Sequence, residues 1–403
     1  MLLHWIWFAE IKEITLLHKH RLLEHFMDPE ELYNTSEKAL LNLGIPEKYV
    51  QALQNRNLHP AEEILKKCAR RGISILPVGD SAFPQKLRNT PDAPVLLYYK
   101  GTLPDWDSAP YIGIVGTRKA SSYGLQVAYQ MGSQIAASGG YVVSGGADGA
   151  DAASMEGALD HGNPVVGVLG CGVDVVYPYK NRKLFERVVK NGCLLSEYPP
   201  GEKALPWHFP ERNRIISGLS NGVLVVEAPK KSGALITARR ALEQGRDVFV
   251  VPGNINTETC EGSNALLQEG AMPVFSGWDV LSGYAFLYPG KLQKTQPAVE
   301  ERSTARVAQK PVIPESAPQL RESGQKISID NGEDCNYIEL DKKLPALSDD
   351  EQAVLACLSR DAQEPAELIA KLDMPSGKVL SALTVLTVKG YVRKHPGGRI
   401  SLK

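Results

Sequence analysis

The sequence predicts an α/β protein: a doubly wound, mostly parallel, Rossmann-like sheet, preceded by an N-terminal helical domain and followed by a C-terminal winged-helix-like domain. Three observations predict it. From about Tyr111 to Pro273, short apolar runs alternate with amphipathic stretches of helical period. The runs are near-continuous and rich in β-branched residues, as strands buried on both faces require. The segments between them are rich in glycine, hydroxyl and basic residues, the composition of ligand loops at the carboxyl edge of a parallel sheet.

Residues 1 to 75 read as helices, with Leu16-Leu17, Leu22-Leu23, Phe26, Leu32, Ala39-Leu40-Leu41, Tyr49-Val50 and Leu53 at spacings of three and four. Asp28-Pro29 and Gly44-Ile45-Pro46 break the pattern into several short helices. The segment Leu41 to Pro46 reads as ordinary helix-to-helix packing, with a hairpin on a phosphate backbone as the alternative. The sheet domain is expected over 76–287. Its strands are expected at 112–115, 141–144, 165–169, 194–197, 223–227 and 248–251, with a short one near Pro273. Helices are expected between them at 123–137, 152–161, 183–190, 214–219, 234–244 and 264–270. From 288 to 345 the chain turns Pro-, Gln-, Ser- and Glu-rich without period and reads as a flexible linker. Over 346–403, helices at 349–358, 366–372 and 376–389 precede 391–393 and 399–402, which flank Pro396-Gly397-Gly398. Three helices and a β-hairpin form a winged-helix pattern.

Composition bounds the function. In 403 residues, 45 Lys+Arg face 46 Asp+Glu, so bulk positive charge cannot bind a polyanion and the basic residues would have to gather in one place. Cys68, Cys171, Cys193, Cys260, Cys335 and Cys357 are scattered, with no CxxC pair and no histidine at zinc-ligand spacing, so reduced thiols and no metal or cofactor are expected. Met1 to Phe8 lacks the features of a signal peptide, and no apolar run approaches the roughly 20 residues that span a bilayer. A soluble, cytoplasmic protein with no membrane partner is expected.

The loops at the strand ends locate the chemistry. The first strand gives way to Gly116-Thr117-Arg118-Lys119, the second to Gly145-Gly146-Ala147-Asp148-Gly149-Ala150-Asp151, the fifth to Lys230-Lys231-Ser232-Gly233-Ala234-Leu235-Ile236-Thr237, and the sixth to Pro252-Gly253-Asn254. Phe209-Pro210-Glu211-Arg212-Asn213-Arg214 precedes a late strand. Small residues let phosphate approach backbone N–H groups, and helix N-termini favour the anion. Arg118, Arg212, Arg214, Lys230 and Lys231 would share one sheet edge, forming a phosphate-binding groove. The first loop is not GxGxxG, no acidic residue ends the second strand, and no GxxxxGK[ST] occurs. Dinucleotide and P-loop sites are therefore disfavoured. Several separate cationic loops suit a string of phosphates better than one pyrophosphate.

These residues carry a resemblance. Val115-Gly116-Thr117-Arg118, Ser144-Gly145, Gly149-Ala150-Asp151, Tyr177-Pro178, Asn181, Ser196-Glu197, Phe209-Pro210, Arg212-Asn213-Arg214-Ile215-Ile216, Ser232 to Thr237 and Val251-Pro252-Gly253 occur in this order between about Leu76 and Leu281. In this the chain resembles the DNA-processing protein A (DprA/Smf) family. The resemblance implies a non-catalytic protein that binds single-stranded DNA, self-associates as a homodimer, works around single-strand-binding protein and loads a RecA-type recombinase during natural transformation or recombination. It implies a DNA groove of Gly116, Arg118, Ser144, Gly145, Arg212, Asn213, Arg214, Lys231, Ser232 and Thr237. Two positions depart from the family: Asp148 stands where a basic or neutral residue is usual, and Met155 where histidine often stands. A carboxylate at 148 weakens phosphate binding unless it points away or pairs with an arginine.

Other readings stay open. Arg212 and Arg214 have salt bridging to Glu197 or Glu227 as their alternative role, and Asn213 has helix capping. Glu197 and Glu227 are expected to pair with the arginines. The rival functions are a Rossmann-like nucleotide sensor and a nucleotide N-glycosidic hydrolase of the lysine-decarboxylase-like group. The latter's PGGxGTxxE glutamate faces Thr237-Ala238-Arg239-Arg240 here. In the tail, residues 376–389 offer only Lys378 and Lys389, with Arg393, Lys394 and Arg399 on the wing. A protein-contact role is expected there rather than sequence reading.

Overall fold

The computed structural model describes residues 2–295 and, in the tail, 348–359, 363, 365–372, 374, 376–388, 391–394 and 400–402. Its centre is a nine-stranded sheet. In chain order the strands are β1 (Ser74–Pro77), β2 (Leu96–Gly101), β3 (Tyr111–Val115), β4 (Tyr141–Ser144), β5 (Val165–Val168), β6 (Cys193–Ser196), β7 (Gly222–Val225), β8 (Asp247–Val250) and β9 (Met272–Pro273). Their spatial order is β1-β2-β6-β5-β4-β3-β7-β8-β9. Strands β3 to β9 pair in parallel, while β2 runs antiparallel to β6 and β1 antiparallel to β2. All residues of β3, β5, β6 and β7 are buried, which is why their sequences show no alternation.

The chain leaves β3 toward β4, then crosses from β6 to β7 on the other side of β3. The carboxyl ends of β3 and β7 therefore flank the switch point where crevices open in such sheets. Two packing features hold this arrangement. Helices Ser122–Ala137 and Ala150–Leu159 touch backbone to backbone: a Cβ at Gly132 would lie 2.0 Å from the Ser154 carbonyl oxygen, and one at Gly157 would lie 2.1 Å from that of Tyr129. The N-terminal helices share one continuous apolar core with the sheet, through Trp5, Ile6, Trp7, Phe8, Leu32, Leu40 and Leu53. Lys19 is enclosed in that core, donating to the Ala9 carbonyl at 2.7 Å, and burial pushes its ammonium down to about 8.

Three departures from expectation have physical causes. Strands β1 and β2 lie among Pro77, Pro84, Pro91 and Pro94, and proline breaks the periodic signal that marks strands; of these four only Pro77 lies inside a strand, where it ends the edge strand β1. The expected helix at 214–219 begins at His208, because Pro210 sits in its first turn, where the missing N–H would have had no partner. Residues 288–295, expected in the linker, lie against the sheet domain, with the Tyr288 hydroxyl accepting from Lys86 at 2.9 Å. The rest of the expected linker lies outside the described residues.

The tail, described by itself, has helices Asp349–Cys357, Pro365–Lys371 and Ser376–Val388 and an antiparallel pair, Val392–Lys394 with Ile400–Leu402. Val354, Leu368, Val379, Leu386, Val392 and Ile400 form its core. Lys378 pairs with Asp350 at 3.7 Å, and Arg393 is exposed. Lys389, Arg399 and the turn at 396–398 lie outside the described residues.

Candidate functional site

An open cavity of about 410 Å³ lies at the switch point. Seven of the ten expected residues line it: Gly116, Arg118, Arg212, Asn213, Lys231, Ser232 and Thr237. Gly145 borders the adjoining slot, which also holds Arg118, Tyr177, Pro178 and Phe209. Ser144 and Arg214 line neither. Ser144 is fully buried and donates to the Ile114 carbonyl at 2.7 Å, tying β4 to β3. Arg214, also buried, turns to Glu197 in an ion pair.

The cations therefore fall into two groups. Arg118, Lys119 and Lys231 are exposed and form no ion pair among the described residues. Lys119 and the cavity's buried carboxylate, Asp151, line it as well; both sit in the glycine-rich loops read from the sequence but were not among the ten expected residues. Lys230 instead pairs with Glu261 at 3.4 Å, away from the cavity lining. Arg212, only 4% exposed, is an internal brace: its guanidinium donates to the Gly145 carbonyl at 2.8 Å and to that of Val168, joining the ends of β4 and β5. Asp151 is the carboxylate whose charge acts on it most, although the two form no ion pair. Burial pushes that carboxyl up, opposed by the Arg212 charge and by backbone N–H groups of Ala147, Gly116 and Gly145. Only glycine fits at 145 between these two side chains, because a Cβ there would stand 2.6 Å from Arg212 Nη2 and 2.7 Å from Asp151 Oδ2.

The loop carrying Arg118 and Lys119 is fixed by Glu227, which is buried at the end of β7. Ser121 donates its backbone N–H and its hydroxyl to that carboxylate at 2.9 and 2.6 Å, and Thr117 N–H donates to the Glu227 carbonyl at 2.7 Å. The expected pairing of carboxylates with arginines thus holds for Glu197, while Glu227 binds Ser121 because the Ser121 loop covers it. Asn213 sits inside its helix and donates to the Gly233 carbonyl at 3.2 Å; capping is ruled out because that helix starts five residues earlier. Ser232 caps the next helix by accepting from Ala234 N–H at 3.2 Å, aiming that helix's N-terminus toward the cavity. Asp148 pairs with Lys180 at 3.0 Å, so its charge is compensated by a lysine. Among the described residues no group of three or more His, Cys, Asp or Glu is placed to hold an ion. Among the same residues, no helix is long and apolar enough to cross a membrane.

Comparison with known proteins decides the family. Residues 74–285, more than half of the chain, match the family described as DNA recombination-mediator protein A. The chain belongs to that family. Residues 339–398 match the DprA winged helix domain. The family assignment extends along the whole chain: it is 31% identical over 405 residues to Protein Smf of Synechocystis sp., covering 98% of this chain and 97% of that one. It is 44% identical over 211 residues to the DNA processing protein DprA of Streptococcus pneumoniae, covering 51% of this chain and 73% of that one. The solved structure of DNA processing protein A from Streptococcus pneumoniae aligns with a TM-score of 0.61 at 34% identity, over 70% of this chain and 98% of that one. Membership places this chain among DNA-processing proteins of recombination.

Proposed function

We propose that the cavity binds the phosphate backbone of single-stranded DNA, without catalysis, and that the protein hands the strand to a RecA-type recombinase in the cytoplasm. The observation that carries this reading is the set of three exposed cations, Arg118, Lys119 and Lys231, without carboxylate partners among the described residues, beside a capped helix N-terminus at the switch point. Phosphates would meet these cations and the backbone N–H groups of the Gly116 and Ser232 turns. Arg212 and Arg214 hold the frame from within, which narrows the phosphate contacts to fewer residues than the ten expected. Net charge of −1 leaves little attraction outside this patch, so binding would be focused there. Self-association as a homodimer would align two such grooves on one strand and raise avidity.

The test is a salt titration of binding to a fluorescent poly(dT) oligonucleotide, with duplex and free ATP as competitors. Salt-sensitive binding that neither competitor displaces supports the reading. Displacement by nucleotide favours the sensor, and release of free base from a nucleoside monophosphate favours the hydrolase. Recombinase loading is tested separately, by whether the protein shortens the lag of filament assembly on strands coated with single-strand-binding protein.

A further inference from the structure

Soluble proteins rarely leave large aromatic side chains open to water in a group unless something covers them. Three such residues lie in or next to segments that line the cavity and its slot. Tyr177 is 43% exposed, Tyr179 72% and Trp207 60%. Tyr177 lines the slot beside the cavity, and its ring centroid is 5.5 Å from that of Phe209, tilted by 41°. The Phe209 ring in turn lies 5.0 Å below the Arg118 guanidinium. Trp207 stands between Pro206 and Phe209, both of which line the cavity. Its indole meets His208 edge-on at 5.9 Å, and His208 is stacked on Tyr198 at 3.8 Å, so the tryptophan has a rigid footing. Cations accompany the rings: Lys180 and Arg182 are exposed beside Tyr179, paired with Asp148 and Glu186 at 3.0 Å each.

Resting on the phosphate-groove reading, we infer that Tyr177, Tyr179 and Trp207 form a rim on which bases of the bound strand stack. The three cavity cations hold the backbone on the inner side; the rim meets the bases on the outer side. Every base has a π-face, so stacking tolerates any sequence, and each stacked base adds roughly five- to 150-fold in affinity. Alternation of aromatic and basic side chains suits a single strand, whose bases are unpaired, and not a duplex, whose bases are stacked on one another. Single-strand preference would then originate at the rim and salt dependence at the groove. A folded protein partner would need a continuous apolar face, whereas here Lys180, Asp148 and Arg182 interrupt the rings.

Two oligonucleotides with the same phosphates test this: dT12, and a strand of 12 abasic tetrahydrofuran units. Wild-type protein is expected to bind dT12 at least tenfold more tightly than the abasic strand, with the same salt slope on both. Tyr177→Ala is expected to weaken dT12 binding severalfold and leave abasic binding and the salt slope unchanged. Tyr177→Phe restores what alanine removes. Trp207→Ala should behave like Tyr177→Ala. Equal, salt-sensitive wild-type binding to both strands overturns the rim and leaves the groove standing. Absence of salt-sensitive binding to either strand overturns the groove reading and the rim with it. If Tyr177→Ala lowers binding to both strands alike, the ring supports the fold of the slot and does not stack on bases.

Discussion

Replacing Arg118 by alanine separates cations that touch DNA from those that brace the fold. Arg118 is exposed and makes no ion pair among the described residues, so its removal leaves no buried charge behind and stability should change by less than about 0.5 kcal/mol. Each phosphate neutralised on a single strand contributes about −0.7 to the slope of log K against log salt. With Arg118, Lys119 and Lys231 in contact, the slope is about −2, and affinity falls about 20-fold between 50 and 200 mM salt. Without Arg118 the slope becomes about −1.4 and the fall about sevenfold. A charge-assisted bond at so exposed a site belongs at the low end of its range, giving about tenfold weaker binding at fixed salt. Fluorescence anisotropy on dT12 and on a mixed-sequence strand measures both quantities. A slope that stays near −2, or a loss confined to one sequence, refutes the assignment of Arg118 to a phosphate.

The other predictions concern the frame. Arg212→Met leaves the buried Gly145 and Val168 carbonyls without the guanidinium that they accept from and should cost about 1–3 kcal/mol in urea unfolding; unchanged stability with a reduced salt slope would mean that Arg212 meets DNA instead. Gly132→Ala forces a methyl to within 2.0 Å of the Ser154 carbonyl oxygen and should cost about 1–3 kcal/mol or more, read as a lowered Tm. For Cys193, burial pushes the thiol up to about 12 from 9.0. Below pH 9 both states keep the proton; above it the unfolded chain ionises first, so stability falls from pH 9 toward 12. By pH 10.5 the loss at this site is at most about 2 kcal/mol. Cys193→Ala should remove that part of the alkaline decline, and an identical decline in both proteins would show that Cys193 does not cause it.

The central sheet was legible because burial on both faces writes itself into composition: Val142-Val143, Val165-Val166 and Val223-Leu224-Val225 leave no polar residue to disguise them. The loops were legible for a related reason, since glycine and hydroxyl residues after a buried strand have few other uses. The direction of each cationic side chain was not. Arg212 and Arg214 are two positions apart on one helix and reach different partners, the Gly145 and Val168 carbonyls for the first and the Glu197 carboxylate for the second. Composition gave no way to tell these braces from Arg118, because the difference is burial and burial depends on tertiary neighbours. Strand β1 escaped because it is a four-residue edge that ends in Pro77, β2 because the prolines before it break up the pattern, and the early start of the helix at His208 because Pro210 looks like an interruption.

The shared core has a consequence for how this protein can vary. Trp5 rests against the turn after β1, where a Cβ on Gly79 would come within 3.0 Å of its indole. Tyr98 and Leu97 on β2 belong to the same apolar cluster as Phe8. Residues 2–71 are thus a wall of the sheet and not a detachable attachment. A chimera that takes this segment from one relative and the sheet from another would join two surfaces that never adapted to each other. Changes at Trp5, Phe8 and the β1–β2 pair should therefore be inherited together, and residue 75 is no seam for exchanging parts.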